Sequence, residues 1–213
     1  MTNRGVFIVL DGGEGCGKST QARLLRERLE SADRHVVAVR DPGTTRIGEL
    51  VRAILLNPDH DEMGFRCEML LYMSARAQLM TETILPALDA GKVVLCDRFV
   101  SSTLAYQLGG DGLIADEIRA VAQIALKGRW PDVTLILDMP AESSIARVQR
   151  AKDRIEQRSL DYHRQVRENY LSQIVAFPDR YRRIDADRAA SDVAEDIWKA
   201  VESVLTLDAM SDR

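Results

Sequence analysis

Five short apolar runs rich in β-branched residues, at 6–10, 36–39, 93–96, 133–137 and, more weakly, 181–184, recur between longer amphipathic stretches. Each reads as a strand. The intervening segments are long and helix-patterned, and the first four runs are almost continuously apolar, as strands covered on both faces must be. The pattern predicts an α/β fold, a doubly wound five-stranded parallel sheet with helices on both faces. Every run gives way to polar residues: Asp11-Gly12, Arg40-Asp41-Pro42-Gly43, Asp97-Arg98, Asp138 and Asp185. Open parallel sheets bind ligands beyond the carboxyl ends of their strands, so these tips carry the candidate chemistry.

Composition narrows the partners. The chain of 213 residues has no internal repeat or low-complexity tract and is read as one domain, 1–213. With 46% hydrophobic and 29% charged residues it has the balance of a soluble globular protein. No apolar run approaches the roughly 18 residues of a membrane span, and the first run breaks at Asp11, short of a signal-peptide core. A cytoplasmic location and no membrane partner are expected. Cys16, Cys67 and Cys96 are odd in number and scattered, which fits reduced thiols. His35, His60 and His163 stand apart from any zinc-ligand spacing. A net charge of −4 gives no basic footprint for nucleic acid, while local arginines leave a small anionic substrate open.

The segment Gly12-Gly13-Glu14-Gly15-Cys16-Gly17-Lys18-Ser19 matches G-x-x-x-x-G-K-[ST] and lies between a predicted strand and the helix-patterned stretch 20–30. Glycines let successive backbone N–H groups turn inward on a phosphate, and the helix N terminus adds partial positive charge. Gly12 to Thr20 are therefore the candidate ATP-binding residues, with Lys18 reaching the β- and γ-phosphates and the Ser19 hydroxyl available to Mg²⁺. Asp97, at the tip of the third run, is a second candidate for the metal. The loop fixes a phosphoryl donor and leaves the reaction open. Neither the guanine-reading N-K-x-D nor the L-S-G-G-Q of transporter ATPases occurs, and both absences favour a kinase.

Four further segments carry a resemblance. Asp97-Arg98-Phe99-Val100-Ser101-Ser102-Thr103-Leu104-Ala105-Tyr106-Gln107 resembles the D-R-Y-x-x-S-x-x-A-Y-Q segment of thymidylate kinases. Arg40-Asp41-Pro42-Gly43-Thr44-Thr45-Arg46-Ile47-Gly48-Glu49 resembles their R-E-P-G-G-T-x-x-G-E, and Leu71-Tyr72-Met73-Ser74-Ala75-Arg76-Ala77-Gln78 resembles their L-F-x-A-x-R-x-Q. Asp153-Arg154-Ile155-Glu156 resembles the D-R-x-E of their mobile lid, here expected over about 147–160. The matches keep one order from Phe7 to about Ile184.

The resemblance implies a P-loop kinase-type domain with a helical lid, ATP as donor with Mg²⁺, dTMP as acceptor, dTDP and ADP as products, and a homodimer. It gives Tyr72 the role of stacking on thymine and Arg76 that of bonding the base edge. Read by themselves, Leu70, Leu71 and Tyr72 are equally a buried helix stripe. By the same resemblance Arg40 and Arg98 hold the acceptor phosphate, and Asp11, Ser102, Thr103, Tyr106 and Gln107 belong to the acceptor site. Tyr106 would pack on the deoxyribose and disfavour a 2′-hydroxyl. Glu14, inside the loop, would contact the 3′-hydroxyl and set Arg98. Because this loop has no arginine, the sequence resembles those members whose catalytic arginine comes from the lid. Arg147, Arg150, Lys152 and Arg154 crowd that segment, with Arg150 and Arg154 expected to close over the phosphates; the same charges are also readable as a solvated helix face.

Four positions depart from the family's pattern: Asp11 for Glu, Thr44 for Gly, Tyr72 for Phe and Phe99 for Tyr. If position 44 takes φ > 0, a β-branched residue there costs about 1 kcal/mol or more. The rival readings are another nucleoside monophosphate kinase, and a P-loop module that holds or hydrolyses ATP without an acceptor.

Overall fold

The structure, a computed structural model, describes residues 5–148 and 153–211. Five parallel strands, β1 (Val6–Gly12), β2 (Val36–Arg40), β3 (Val93–Asp97), β4 (Val133–Asp138) and β5 (Tyr181–Asp185), lie in the order β2-β3-β1-β4-β5. The predicted α/β class and strand count hold. Each strand runs one or two residues beyond its apolar run, because the polar tips still pair: Leu10 lies opposite Asp97, Arg40 opposite Asp97, and Asp138 opposite Asp185. The tip side chains thus leave from ordered backbone.

Alternation along the strands sorts two cores. From β1, Phe7 and Val9 point into one cluster and Val6, Ile8 and Leu10 into the other. The first cluster is closed by α3 (Phe65–Leu79), α4 (Leu85–Asp89), α5 (Val100–Tyr106) and α6 (Ala115–Ala125). The second is closed by α1 (Lys18–Ser31) and α9 (Ala190–Ser211). A single π-helical turn, Met80–Ile84, joins α3 to α4. Helix α2 (Arg46–Leu56) packs on α3, while α7 (Ala141–Ala146) and α8 (Leu160–Ala176) follow β4. A third, smaller cluster around Tyr106, Ile155, Tyr170 and Tyr181 ties α5 and α8 to the far edge of the sheet. This arrangement gathers the carboxyl ends of β1, β2 and β3 beside the N terminus of α1.

Candidate active site

The loop after β1 takes its shape from glycine. Gly12, Gly15 and Gly17 have φ of 140°, 71° and 93°, a region that disfavours side chains. Space forbids them as well: a Cβ on Gly15 would stand 2.1 Å from the Ser144 carbonyl oxygen, and one on Gly12 2.5 Å from that of Leu137. Cys16 turns its thiol into the core. Lys18 begins α1 and folds back so that its Nζ donates to the carbonyls of Gly12 (3.1 Å) and Gly13 (2.6 Å). A polar cavity of about 540 Å³ opens here, lined by Glu14, Gly15, Gly17, Lys18, Ser19 and Thr20 from the loop and by Arg40, Asp97 and Arg98 from the strand tips. The buried Oδ1 of Asp97 has no hydrogen-bond partner among the described residues.

Arg98 occupies φ 66°, left-handed for a non-glycine residue, with its N–H donating to the Leu10 carbonyl at 2.9 Å. From there its Nη1 donates to the Gly12 carbonyl (3.0 Å) and the Ser102 hydroxyl (3.1 Å), and its Nη2 pairs with Glu14. Burial alone would weaken this charge, but Glu14, Tyr106, Tyr170 and Asp11 surround it and hold its pKa well above the usual guanidinium value. The cation is permanent and aimed.

A second cleft adjoins the first. Tyr72 and Arg76 reach it from α3, and Ser102, Thr103, Tyr106 and Gln107 from α5 and its C-cap. Arg76 is almost fully buried, its Nε bonded to Asp41 at 2.5 Å and both terminal nitrogens donating to Thr103 Oγ1 at 3.3 Å. Burial raises the Asp41 carboxyl above its ordinary value despite this arginine. Asp41 Oδ1, Tyr106 Oη and Gln107 Oε1 are buried without hydrogen-bond partners among the described residues, three polar atoms at one cleft. Glu14, Arg52 and Arg98 line both cavities. Sequence reasoning missed Arg52; its signal was an arginine on the half-buried side of an amphipathic helix.

Two of the expected site residues make other contacts in this structure. Asp11 lines neither cavity. It is completely buried, with Oδ1 accepting from the Gly12 N–H and the hydroxyls of Ser102 and Tyr170, and Oδ2 accepting from the Ser101 hydroxyl and the Phe99 N–H. A carboxylate with both oxygens so engaged orients the wall of the site rather than touching a ligand. Arg154 is buried against Glu68 at 2.6 Å and the Leu55 carbonyl at 2.9 Å, a carboxylate partner being what a guanidinium leaving water needs. Arg150 and Lys152 lie outside the described residues. Arg147 pairs with Asp187 at 3.1 Å and borders the polar cavity.

Thr44 does adopt φ 67°. Its hydroxyl accepts from the Arg40 N–H (2.8 Å) and donates to the Arg40 carbonyl (3.2 Å), while its own N–H donates to Glu49 (2.7 Å), which also pairs with the Arg40 guanidinium (2.9 Å). The strain is thus offset by a clamp on the residue that presents Arg40. Replacing Thr44 with Val keeps the branched side chain at φ > 0 and removes the clamp, so it should cost about 1–2 kcal/mol in unfolding free energy. Thr44→Gly, which relieves strain while losing the same bonds, should stay within about 1 kcal/mol of the parent. Urea unfolding of both variants checks this: a Val variant as stable as the parent would show that the hydroxyl contributes nothing, and equal costs for Val and Gly that φ 67° carries no strain for glycine to relieve.

A thymidylate kinase family model matches residues 10–197. A thymidylate kinase of Pelotomaculum thermopropionicum is 48% identical over 205 residues, covering 95% of each chain. One of Caldanaerobacter subterraneus subsp. tengcongensis is 44% identical over 204 residues, covering 95% of this chain and 97% of that one. Among solved structures, thymidylate kinase from Ehrlichia chaffeensis superposes with a TM-score of 0.75 at 27% identity, over 93% of this chain and 99% of that one. The glycine-shaped loop, the arginine-walled double cavity and these likenesses agree, and the chain belongs to the thymidylate kinase family.

Proposed function

We propose that this chain transfers the γ-phosphoryl group of ATP to dTMP, giving ADP and dTDP for dTTP synthesis. The single observation that carries the reading is the wall shared by the two cavities, where Arg98, Glu14 and Arg52 face both the phosphate loop and the Tyr72–Arg76 cleft. A donor and an acceptor seated there would meet at a guanidinium, which is what phosphoryl transfer asks of a protein: positioning and cations arranged in advance. Lys18 and the loop N–H groups take the donor phosphates, Arg40 and Arg98 the acceptor phosphate, and Arg76 with Thr103 the base edge under the Tyr72 ring. The unpartnered atoms of Asp41, Tyr106 and Gln107 offer acceptors and a hydroxyl to a polar ligand such as a nucleoside.

Ser19 and Asp97 would hold Mg²⁺, and the orphaned Asp97 oxygen fits that use. When bound there, the ion would supply positive charge to the donor phosphates. No cluster of three or more His, Cys, Asp or Glu suited to a metal exists among the described residues, which accords with an ion held largely by the nucleotide's own phosphates. The chain would act as one kinase domain with its lid at about 147–160, in the cytoplasm, as a homodimer. Exposed Ile47, Leu50 and Ile54 on α2 and Leu70 on α3 supply an apolar surface for such pairing.

The test is ADP release with ATP, Mg²⁺ and each of dTMP, dUMP, UMP, dCMP, CMP, AMP and GMP, together with sedimentation of the same preparation at micromolar concentration. Fastest turnover with dTMP and a mass near twice 23.8 kDa are expected. Preference for another base would reject the acceptor assignment, release independent of every acceptor would indicate an ATPase or binding module, and a single 23.8 kDa species would remove the dimer.

A further inference from the structure

One fully buried carboxylate joins three parts of the chain. Glu68 lies on α3 four residues before Tyr72 and eight before Arg76, a spacing that puts all three side chains on one helix face. Its Oε1 accepts from Arg154 Nη1 at 2.6 Å and from Arg158 Nη2, and its Oε2 accepts from Gln107 Nε2 at 3.1 Å. Arg154 is held further by the Leu55 carbonyl at 2.9 Å. Arg158 donates to the Tyr162 hydroxyl at 2.7 Å, which in turn donates to the Tyr106 carbonyl at 2.7 Å.

These bonds surround the acceptor cleft without entering it. Glu68, Arg154 and Arg158 do not line the cleft, yet Asp153 and Ile155, the neighbours of Arg154, do, as do Gln107 and Tyr106. Segment 153–158 is internally braced: Asp153 Oδ1 accepts from the N–H groups of Ile155 and Glu156 at 3.0 Å each, and Glu156 Oε2 accepts from the Asp153 N–H at 3.1 Å. It is therefore a short braced piece, anchored to α3 through its two arginines. Without Glu68, two guanidinium groups drawn from water into one place would repel each other.

We propose that Glu68 is a positioning residue for the acceptor: it pins segment 153–158 as a roof on the cleft, in register with the helix face that presents Tyr72 and Arg76. The inference rests on reading this cleft as the dTMP site. Its consequence is that losing the anchor weakens capture of the acceptor while leaving the donor loop intact, since Lys18, Ser19 and the loop amides make no contact with Glu68.

Steady-state kinetics of the full chain separate this from general damage. Glu68→Gln should raise KM for dTMP roughly tenfold while changing KM for ATP less than about twofold. Arg154→Met preserves volume, leaves Glu68 paired with Arg158, and should shift the same constant in the same direction by a smaller factor; it carries the test if Glu68→Gln does not fold. Hydrogen exchange supplies a readout that a purely structural role would not move. Saturating dTMP should slow exchange of the 154–158 amides in the parent, and Arg154→Met should abolish that slowing. An unchanged KM for dTMP in a folded variant, equal rises for both substrates, or dTMP-dependent protection that survives in Arg154→Met would each overturn the proposal. A parent enzyme that ignores dTMP would instead reject the acceptor assignment itself.

Discussion

Arg98→Ala should lower kcat/KM for dTMP by about 10³-fold while leaving ATP affinity within about threefold of the parent. The asymmetry follows from connectivity. Arg98 is, with Arg52, a cation that both cavities share, whereas Lys18 is held by the carbonyls of Gly12 and Gly13 and has only the Gly12 carbonyl in common with it. Alanine at φ 66° keeps the backbone strain, so no compensating relief confuses the result. Arg98→Lys is the sharper comparison. The parent guanidinium spans the Gly12 carbonyl, the Ser102 hydroxyl and Glu14 with two terminal nitrogens, a fork that one ammonium cannot reproduce. Lysine should therefore recover only part of the rate. Calorimetric titration with a non-hydrolysable ATP analogue beside dTMP kinetics decides the matter: an equal loss of nucleotide affinity would mean that the site is not divided between donor and acceptor as described.

How far the site was legible in the chain depended on the range of the contacts. The strands were readable because burial on both faces writes itself as uninterrupted apolar residues, and only their polar last residues escaped, since a side chain's polarity says nothing about whether its amide still pairs. The edge strand β5 was fainter for a physical reason: with one neighbour and exposed Arg182 and Arg183, it has less to bury. The loop from Gly12 to Ser19 was legible because phosphate cradling needs glycine at fixed offsets. What the sequence did not show were partners brought in from far along the chain. Tyr170, 159 positions from Asp11, donates to it at 2.7 Å, and nothing local marks that tyrosine among the apolar positions of α8. Arg154 illustrates the converse: a basic residue in a basic segment suggests a phosphate, and nothing near it in the chain announces the carboxylate it meets in this structure, Glu68, 86 positions away.

The second large effect concerns stability. Asp11→Ala should destabilise the fold by about 3–5 kcal/mol, the range for stripping a buried charge from its partners. In a domain of this size each kcal/mol lowers Tm by roughly 2–4 °C, so a fall of about 6–20 °C is expected by scanning calorimetry. The loss exceeds that of an ordinary core truncation because of what remains behind. Three hydroxyls, on Ser101, Ser102 and Tyr170, and the N–H groups of Gly12 and Phe99 would all lose an acceptor around a fully buried carboxylate position. Arg98, 3.6 Å from the same carboxylate, would lose part of its counter-charge. Asp11→Asn should cost less, since the amide keeps one acceptor oxygen and the serine and tyrosine hydroxyls can rotate to accept from its nitrogen. Asp11→Glu, restoring the residue that thymidylate kinases usually carry, adds a methylene to a packed site and should cost about 1–3 kcal/mol unless Ser101 or Tyr170 is changed with it. The order Ala, then Glu, then Asn in falling cost is the specific claim. An Ala variant as stable as the parent would show that these five donors find other acceptors, and that Asp11 does not organise the wall from which Arg98 and Ser102 face the ligand.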